Sequence, residues 1–240
     1  MKIARLSLLL ALLSLVLLAS SGLGVRAGWW PYPVGFTLLR WVVGIGIAAA
    51  VLALIGLVIP KVRTAALPTL LISAVIGAAA AWYPWQMAQQ AKLLPRIHDI
   101  STDLVDPPRF VEVLKLRANA PNPAAYGGPE IAAAQRSGYP DIQPLLQNVS
   151  PADVYAAAVA EAKKLDWQIV AQDPQVGRIE ATDTTFWFGF KDDIVVRISS
   201  VDGKSRVDVR SVSRVGKSDA GKNAQRIRGY LAALSRTLVK

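Results

Sequence analysis

A chain of 240 residues with 52% apolar side chains, positive mean hydropathy and a net charge of +10 suits a membrane module joined to one soluble domain of ordinary size. It holds no cysteine, which excludes disulfides, thiolate metal sites and cysteine nucleophiles, and a single histidine, which excludes multi-histidine metal sites. All 17 acidic residues follow Lys92, whereas the first 91 residues carry Lys2, Arg5, Arg26, Arg40, Lys61 and Arg63 and no acid.

Three stretches without charge lie between Arg5 and Arg26, between Arg40 and Lys61, and between Arg63 and Lys92. A helix needs about 20 such residues to cross the hydrocarbon layer. They predict a membrane module over residues 1–91 with transmembrane helices at about 6–25, 36–59 and 65–85. The first stretch ends in Ala19, Ser20, Ser21 and Gly22, which also fits a cleavable signal peptide; either reading leaves the following domain on the same side. Lys2 and Arg5, with Lys61 and Arg63 in the link Pro60 to Thr64, mark the cytoplasmic side and send the C-terminal domain across the membrane. Trp29, Trp30 and Tyr32, then Trp82, Tyr83 and Trp85, read as an interfacial aromatic belt on that far side.

Residues 92–240 read as a soluble α+β domain, opened by a Pro- and Gly-rich irregular segment over 96–150. Ser150, Pro151 and Asp153 form a capping box, and Val154, Ala158, Ala162 and Leu165 follow at helical spacing. Four strand-like runs come next: Trp167 to Gln172, Gly177 to Trp187, Ile194 to Ser200 and Ser205 to Ser213. Asp202-Gly203 reads as a tight hairpin turn that sets Val201 opposite Lys204, pairs Ile198 with Val207 and Val196 with Val209 inward, and places Arg197 opposite Asp208 and Val195 opposite Arg210 on the other face. A last helix from about Asp219 carries Ala224, Ile227, Leu231, Leu234 and Leu238 on one stripe. The expected fold is N-terminal transmembrane helices followed by a two-layer α+β sandwich, a four-stranded antiparallel sheet and two helices in the order α-β-β-β-β-α.

Gly216 to Asn223 reads G-x-x-x-x-G-K-N, which fails as a phosphate-binding loop because Asn223 stands where Ser or Thr is needed. A glycine-containing turn into a helix still offers backbone donors, and Arg214, Lys217, Ser218, Lys222 and Arg226 make it the candidate anion-binding site; ion pairing within the domain is the plainer reading of the same residues. Phe186, Phe188 and Phe190 share one parity of the second strand. They are either covered by residues 96–150, reoriented by a bulge, or left as an apolar patch for a protein partner. His98 is the sole candidate for a hydrolase, and Asp192 with Asp193 read as a solvated turn rather than an acid–base pair.

The strings Leu94 to Asp103, Gly177 to Thr182 and Arg210 to Asp219, extended by Asn223, Arg226, Ile227 and Arg228, resemble the bacterial family catalogued as domain of unknown function 1499, over about residues 94 to 238. The resemblance implies an envelope-associated or membrane-tethered domain and brings no catalytic residues with it. Together these readings give a multi-pass protein of the bacterial inner membrane with its C-terminal domain in the periplasm. The expected function is a non-enzymatic binding module for an anionic group such as a lipid headgroup. The alternatives are an assembly or scaffold factor for a membrane protein and a hydrolase using His98. The partners expected are the bilayer and an anionic lipid or membrane protein, not nucleic acid, with no metal or cofactor.

Overall fold

The computed structural model describes residues 1–239 and divides into two compact units, one of residues 1–93 with 186–189 and one of residues 94–185 with 190–240. The first unit holds three helices, α1 (Lys2–Arg26), α2 (Tyr32–Val58) and α3 (Pro60–Leu93), each long and apolar enough to cross a membrane. Only Ile59 separates α2 from α3, and α3 breaks its helical geometry at Ala66 (φ −151°, ψ 27°), two residues before Pro68. Proline removes one backbone donor and crowds the preceding turn, so a kink belongs there.

The packing of this unit inverts that of a water-soluble bundle. Most of its buried positions are small, with Val42 and Leu70 the larger exceptions: Ala4, Ser7, Ala11 and Ser14 on α1, Gly46, Ala49 and Ala53 on α2, and Ser73, Gly77 and Ala80 on α3. Large apolar side chains such as Leu9, Val16, Leu54 and Val75 face outward. Small residues inside and large apolar ones outside suit lipid, where close backbone approach drives helix association. Ser7, Ser14 and Ser73 donate their hydroxyls to the Ala4, Ala11 and Thr69 carbonyls, so each of these hydroxyls is satisfied within its own helix. A methyl group on Gly46 would stand 2.6 Å from the Gly77 carbonyl oxygen, so α2 and α3 touch backbone to backbone at this crossing.

The second unit is built on a six-stranded antiparallel sheet: β1 (Asp99–Ser101), β2 (Leu145–Gln147), β3 (Gln168–Asp173), β4 (Arg178–Thr184), β5 (Lys191–Val201) and β6 (Lys204–Ser213). The order is β1-β6-β5-β4-β3, with β2 sharing the β6 edge with β1. The four long strands are those expected, and the β5–β6 register is the one set by Asp202-Gly203, with Val201 opposite Lys204, Ile198 opposite Val207 and Arg197 opposite Asp208. Three elements fall in the segment expected to be irregular: β1, β2 and the helix α4 (Gly128–Gly138). Pro129 sits in the first turn of α4, where its missing N–H costs nothing.

Helix α5 (Pro151–Lys164) starts at the Ser150 cap, whose Oγ accepts from the Asp153 N–H, and α6 (Lys222–Leu238) ends the chain. Together they cover one sheet face. Val154, Ala158, Ile227, Tyr230 and Leu234 pack on Ile179, Ile194, Val196, Val207 and Val209, and the Tyr230 hydroxyl donates to the Ala158 carbonyl. The other face is crossed by residues 102–127, which hold a short 3-10 helix (Val113–Arg117) and seat Phe110 and Val113 on Val195 and Val212. The α+β architecture is the one expected, and the strap covers the sheet face opposite the two helices.

Candidate functional site

The face under the strap is charged, and its Asp99, Glu180, Asp193, Asp208 and Arg210 side chains are buried. Glu180, fully buried on β4, accepts the backbone N–H groups of Val111, Glu112 and Val113 at 2.9 to 3.3 Å, satisfying the free donors that open the 3-10 helix. Arg210 closes a bidentate fork on Asp99 at 2.9 and 2.7 Å, and donates to the Pro108 and Ala124 carbonyls of the strap. Arg197 and Arg206 share Asp103 and Asp208.

Asp193 is the centre of this network, receiving Arg117 at 2.6 Å, Arg214 at 2.8 and 2.9 Å, and the Thr182 hydroxyl at 2.7 Å. Burial disfavours its charge, but the hydrogen bonds from Arg214, Thr182 and Arg117 outweigh it and hold the carboxyl below its ordinary value. The reading of Asp192 and Asp193 as a solvated turn is therefore corrected. Both lie inside β5 and are buried, one facing each side of the sheet, because β5 begins at Lys191 rather than Ile194.

On the helix-bearing side, Arg226 donates to Asp183 at 2.8 Å, Asp192 at 2.6 Å and the Asn223 Oδ1. Asn223 bridges three segments: its amide donates to the His98 carbonyl and the Ser213 hydroxyl, and its oxygen accepts from Ser211. The residue that spoils a phosphate loop is thus a tie between α6, β6 and the stretch before β1. The start of α6 is closed by the chain itself, since Asp219 accepts from the N–H groups of Gly221 at 2.9 Å and Asn223 at 2.6 Å. Burial raises the Asp219 carboxyl above its ordinary value, the two backbone donors pull it back, and the nearby Asp192 adds to the rise.

Of the five residues read as an anion site, the fold separates two from three. Arg214 and Arg226 are held by carboxylates on opposite faces of the sheet. Ser218 turns its oxygen to the Ala220 N–H. Lys217 and Lys222 are exposed, and the Lys222 ammonium donates to the Gln225 side-chain oxygen. Two further exposed cations stand at the same end of the sheet, because the Asp219 N–H reaches the Ile97 carbonyl and the Arg214 N–H reaches the Lys191 carbonyl. Arg96 and Lys191 are those cations, and neither was singled out in the sequence. Among the described residues, Arg96, Lys191, Lys217 and Lys222 form no ion pair, while Asp183, Asp192, Asp193 and Asp219 are each committed to a buried pair or a helix cap.

The three phenylalanines do not share a strand. β4 ends at Thr184, and the Thr185 N–H bonds the Phe190 carbonyl across a loop in which Gly189 has φ 68°. Phe186 and Phe188 are in that loop and count with the helical unit, whereas Phe190 counts with the sheet. His98 is half-buried, and its imidazole makes no hydrogen bond or ion pair with a described residue; neighbouring Asp99 is taken by Arg210. Among the described residues no group of three His, Asp or Glu could hold a metal ion.

A family described as "Protein of unknown function (DUF1499)" matches residues 99–234. No curated protein matches. Among solved structures, the crystal structure of Ara h 8.0201 is similar at 16% identity and a TM-score of 0.32, over 40% of this chain and 94% of that one.

Proposed function

From the premise that the chain belongs to the DUF1499 family, whose function is unknown, we propose that it is a membrane-anchored, non-enzymatic binding module that holds an anionic lipid headgroup at Arg96, Lys191, Lys217 and Lys222. One observation carries the reading: at this end of the sheet every carboxylate named above is spent inside the fold, and these four cations are left over. Paired arginines attract little from outside, whereas an unpaired cation near an anionic leaflet contributes about 1 kcal/mol, so four supply about 4 kcal/mol.

The orientation belongs to the same proposal. Lys2, Arg5, Lys61 and Arg63 flank α1 and the α2–α3 junction on one side, which the positive-inside rule assigns to the cytoplasm. Three crossings then put the sheet unit on the periplasmic side of a bacterial inner membrane.

Native mass spectrometry of the full chain, gently extracted from its membrane, tests the headgroup reading. The parent protein is expected to retain a stoichiometric anionic lipid that is lost from the Lys217→Glu, Lys222→Glu double variant. A retained protein in place of lipid favours an assembly role, and equal lipid retention by both proteins sinks the assignment to these cations.

A further inference from the structure

We infer that the loop joining β4 to β5 is a lipid-contacting tip, with Phe186 seated at the boundary between headgroups and acyl chains. The helical unit fixes the level of the loop. Arg26, the first charge after the uncharged stretch of α1, donates Nη1 to the Phe186 carbonyl at 2.6 Å, and its guanidinium stands 6.0 Å from the Phe186 ring centre. Trp187 donates its indole N–H to the Ser21 hydroxyl in the last turns of α1, at 3.4 Å. The Phe188 ring lies 5.2 Å from Phe36, in the first turns of α2. Three successive aromatic residues are therefore fixed at the last turns of one apolar helix and the first turns of the next, the depth at which aromatic rings collect.

The loop turns two of its rings in and one out. Trp187 and Phe188 are half-buried against the helices, whereas Phe186 is 80% exposed, as is Trp29 at 72% in the α1–α2 link. A phenylalanine this exposed has the bilayer as the partner of matching chemistry, because it is held by Arg26 at the end of a helix long and apolar enough to cross a membrane. The surrounding residues agree: the guanidinium of Arg26 beside the ring can reach headgroup phosphates while its stem stays in apolar surroundings.

This inference uses none of the four cations, so it and the headgroup reading fail separately. Since the chain has no cysteine, a nitroxide can be placed by Phe186→Cys, and for comparison by Asp202→Cys in the β5–β6 turn, in the full protein reconstituted into phosphatidylethanolamine–phosphatidylglycerol vesicles. The label at 186 is expected to collide with oxygen and be shielded from an aqueous nickel chelate, with the reverse at 202. Nickel accessibility at 186 equal to that at 202 overturns the inference. A benzophenone amino acid at position 186 gives a second readout that keeps an aromatic ring in place. Lipid adducts support the inference; protein adducts, or none, overturn it.

Discussion

Arg117 and Asp193 meet at 2.6 Å with side chains 3% and 0% exposed, although 76 residues separate them in the chain. Through this pair the strap is fastened to the central strand of the sheet, and Arg214 closes on the same carboxylate from the end of β6. A buried pair of this kind stabilises little relative to an apolar pair of similar shape, but removing one member strands the other in a dry setting.

Asp193→Ala is therefore expected to be far more damaging than an exposed substitution, costing about 3–5 kcal/mol because it leaves the Arg117 and Arg214 guanidiniums without their shared carboxylate. Arg117→Met removes a charge while Arg214 still satisfies Asp193, so its cost is expected to be smaller. Chemical denaturation of the full chain in micelles, followed by hydrogen exchange at β5 amides, measures both. Equal losses for the two variants would contradict the central role of the carboxylate.

The acid response is expected to differ in sign between the two ends of the network. Asp193 and Asp103 both titrate below the ordinary 3.8, despite the opposing effect of burial, through hydrogen bonds from Arg214, Thr182 and Arg117 in one case and from the Asp106 and Val105 backbone in the other. Their stabilisation is fully present above the unfolded value and is lost as pH falls through the lower folded values, so strap amides are expected to open only below about pH 4. Asp219 is shifted up, chiefly by burial, so its contribution is greatest when it is protonated and is lost as pH rises through its folded value. Mild acidification from neutrality should first slow exchange near Gly221 and Asn223, and Asp219→Asn should abolish that change. Exchange corrected for the intrinsic pH effect distinguishes the two limbs.

What could be read from the sequence was local or periodic. The β5–β6 hairpin followed from Asp202-Gly203 together with alternating polarity, α5 from the Ser150 cap, and α6 from its apolar stripe. The attachments of the strap were not legible, because they join Arg117 to Asp193 and Arg210 to Asp99 across 76 and 111 residues without any repeat to mark them. The candidate site was half legible for the same reason. Arg214 and Arg226 looked equivalent to Lys217 and Lys222 by charge, and only their partners separate them. A chemical hint was present: planar guanidinium suits bidentate burial, whereas the more strongly hydrated ammonium stays in water. The phenylalanine triplet misled because alternation continued past Thr184 after the strand had turned away.

Glu180 offers a narrower test of the strap. Its two oxygens accept three successive backbone N–H groups, so Glu180→Gln keeps one acceptor oxygen and places an amide donor toward the others. The expected cost is about 1–3 kcal/mol for unsatisfied buried groups. Exchange at Val111 and Val113 should rise while the β5–β6 hairpin stays protected. A uniform rise across the sheet would show instead that the strap and sheet unfold as one.

The helical unit can be tested where α2 and α3 touch. Gly46→Val places branched carbon where the Gly77 carbonyl oxygen already stands 2.6 Å from an added methyl, and Ala81 limits escape on the same side. Overpacking of this sort costs about 1–3 kcal/mol. Gly44→Val is the matched control: a methyl there meets nothing within 4 Å, and both sites carry the same loss of glycine from a helix. Thermal unfolding in micelles should therefore separate the pair, Gly46→Val lowering the midpoint and Gly44→Val leaving it near that of the parent. If both variants fell equally, a general intolerance of valine in α2, and not the crossing with α3, would be responsible.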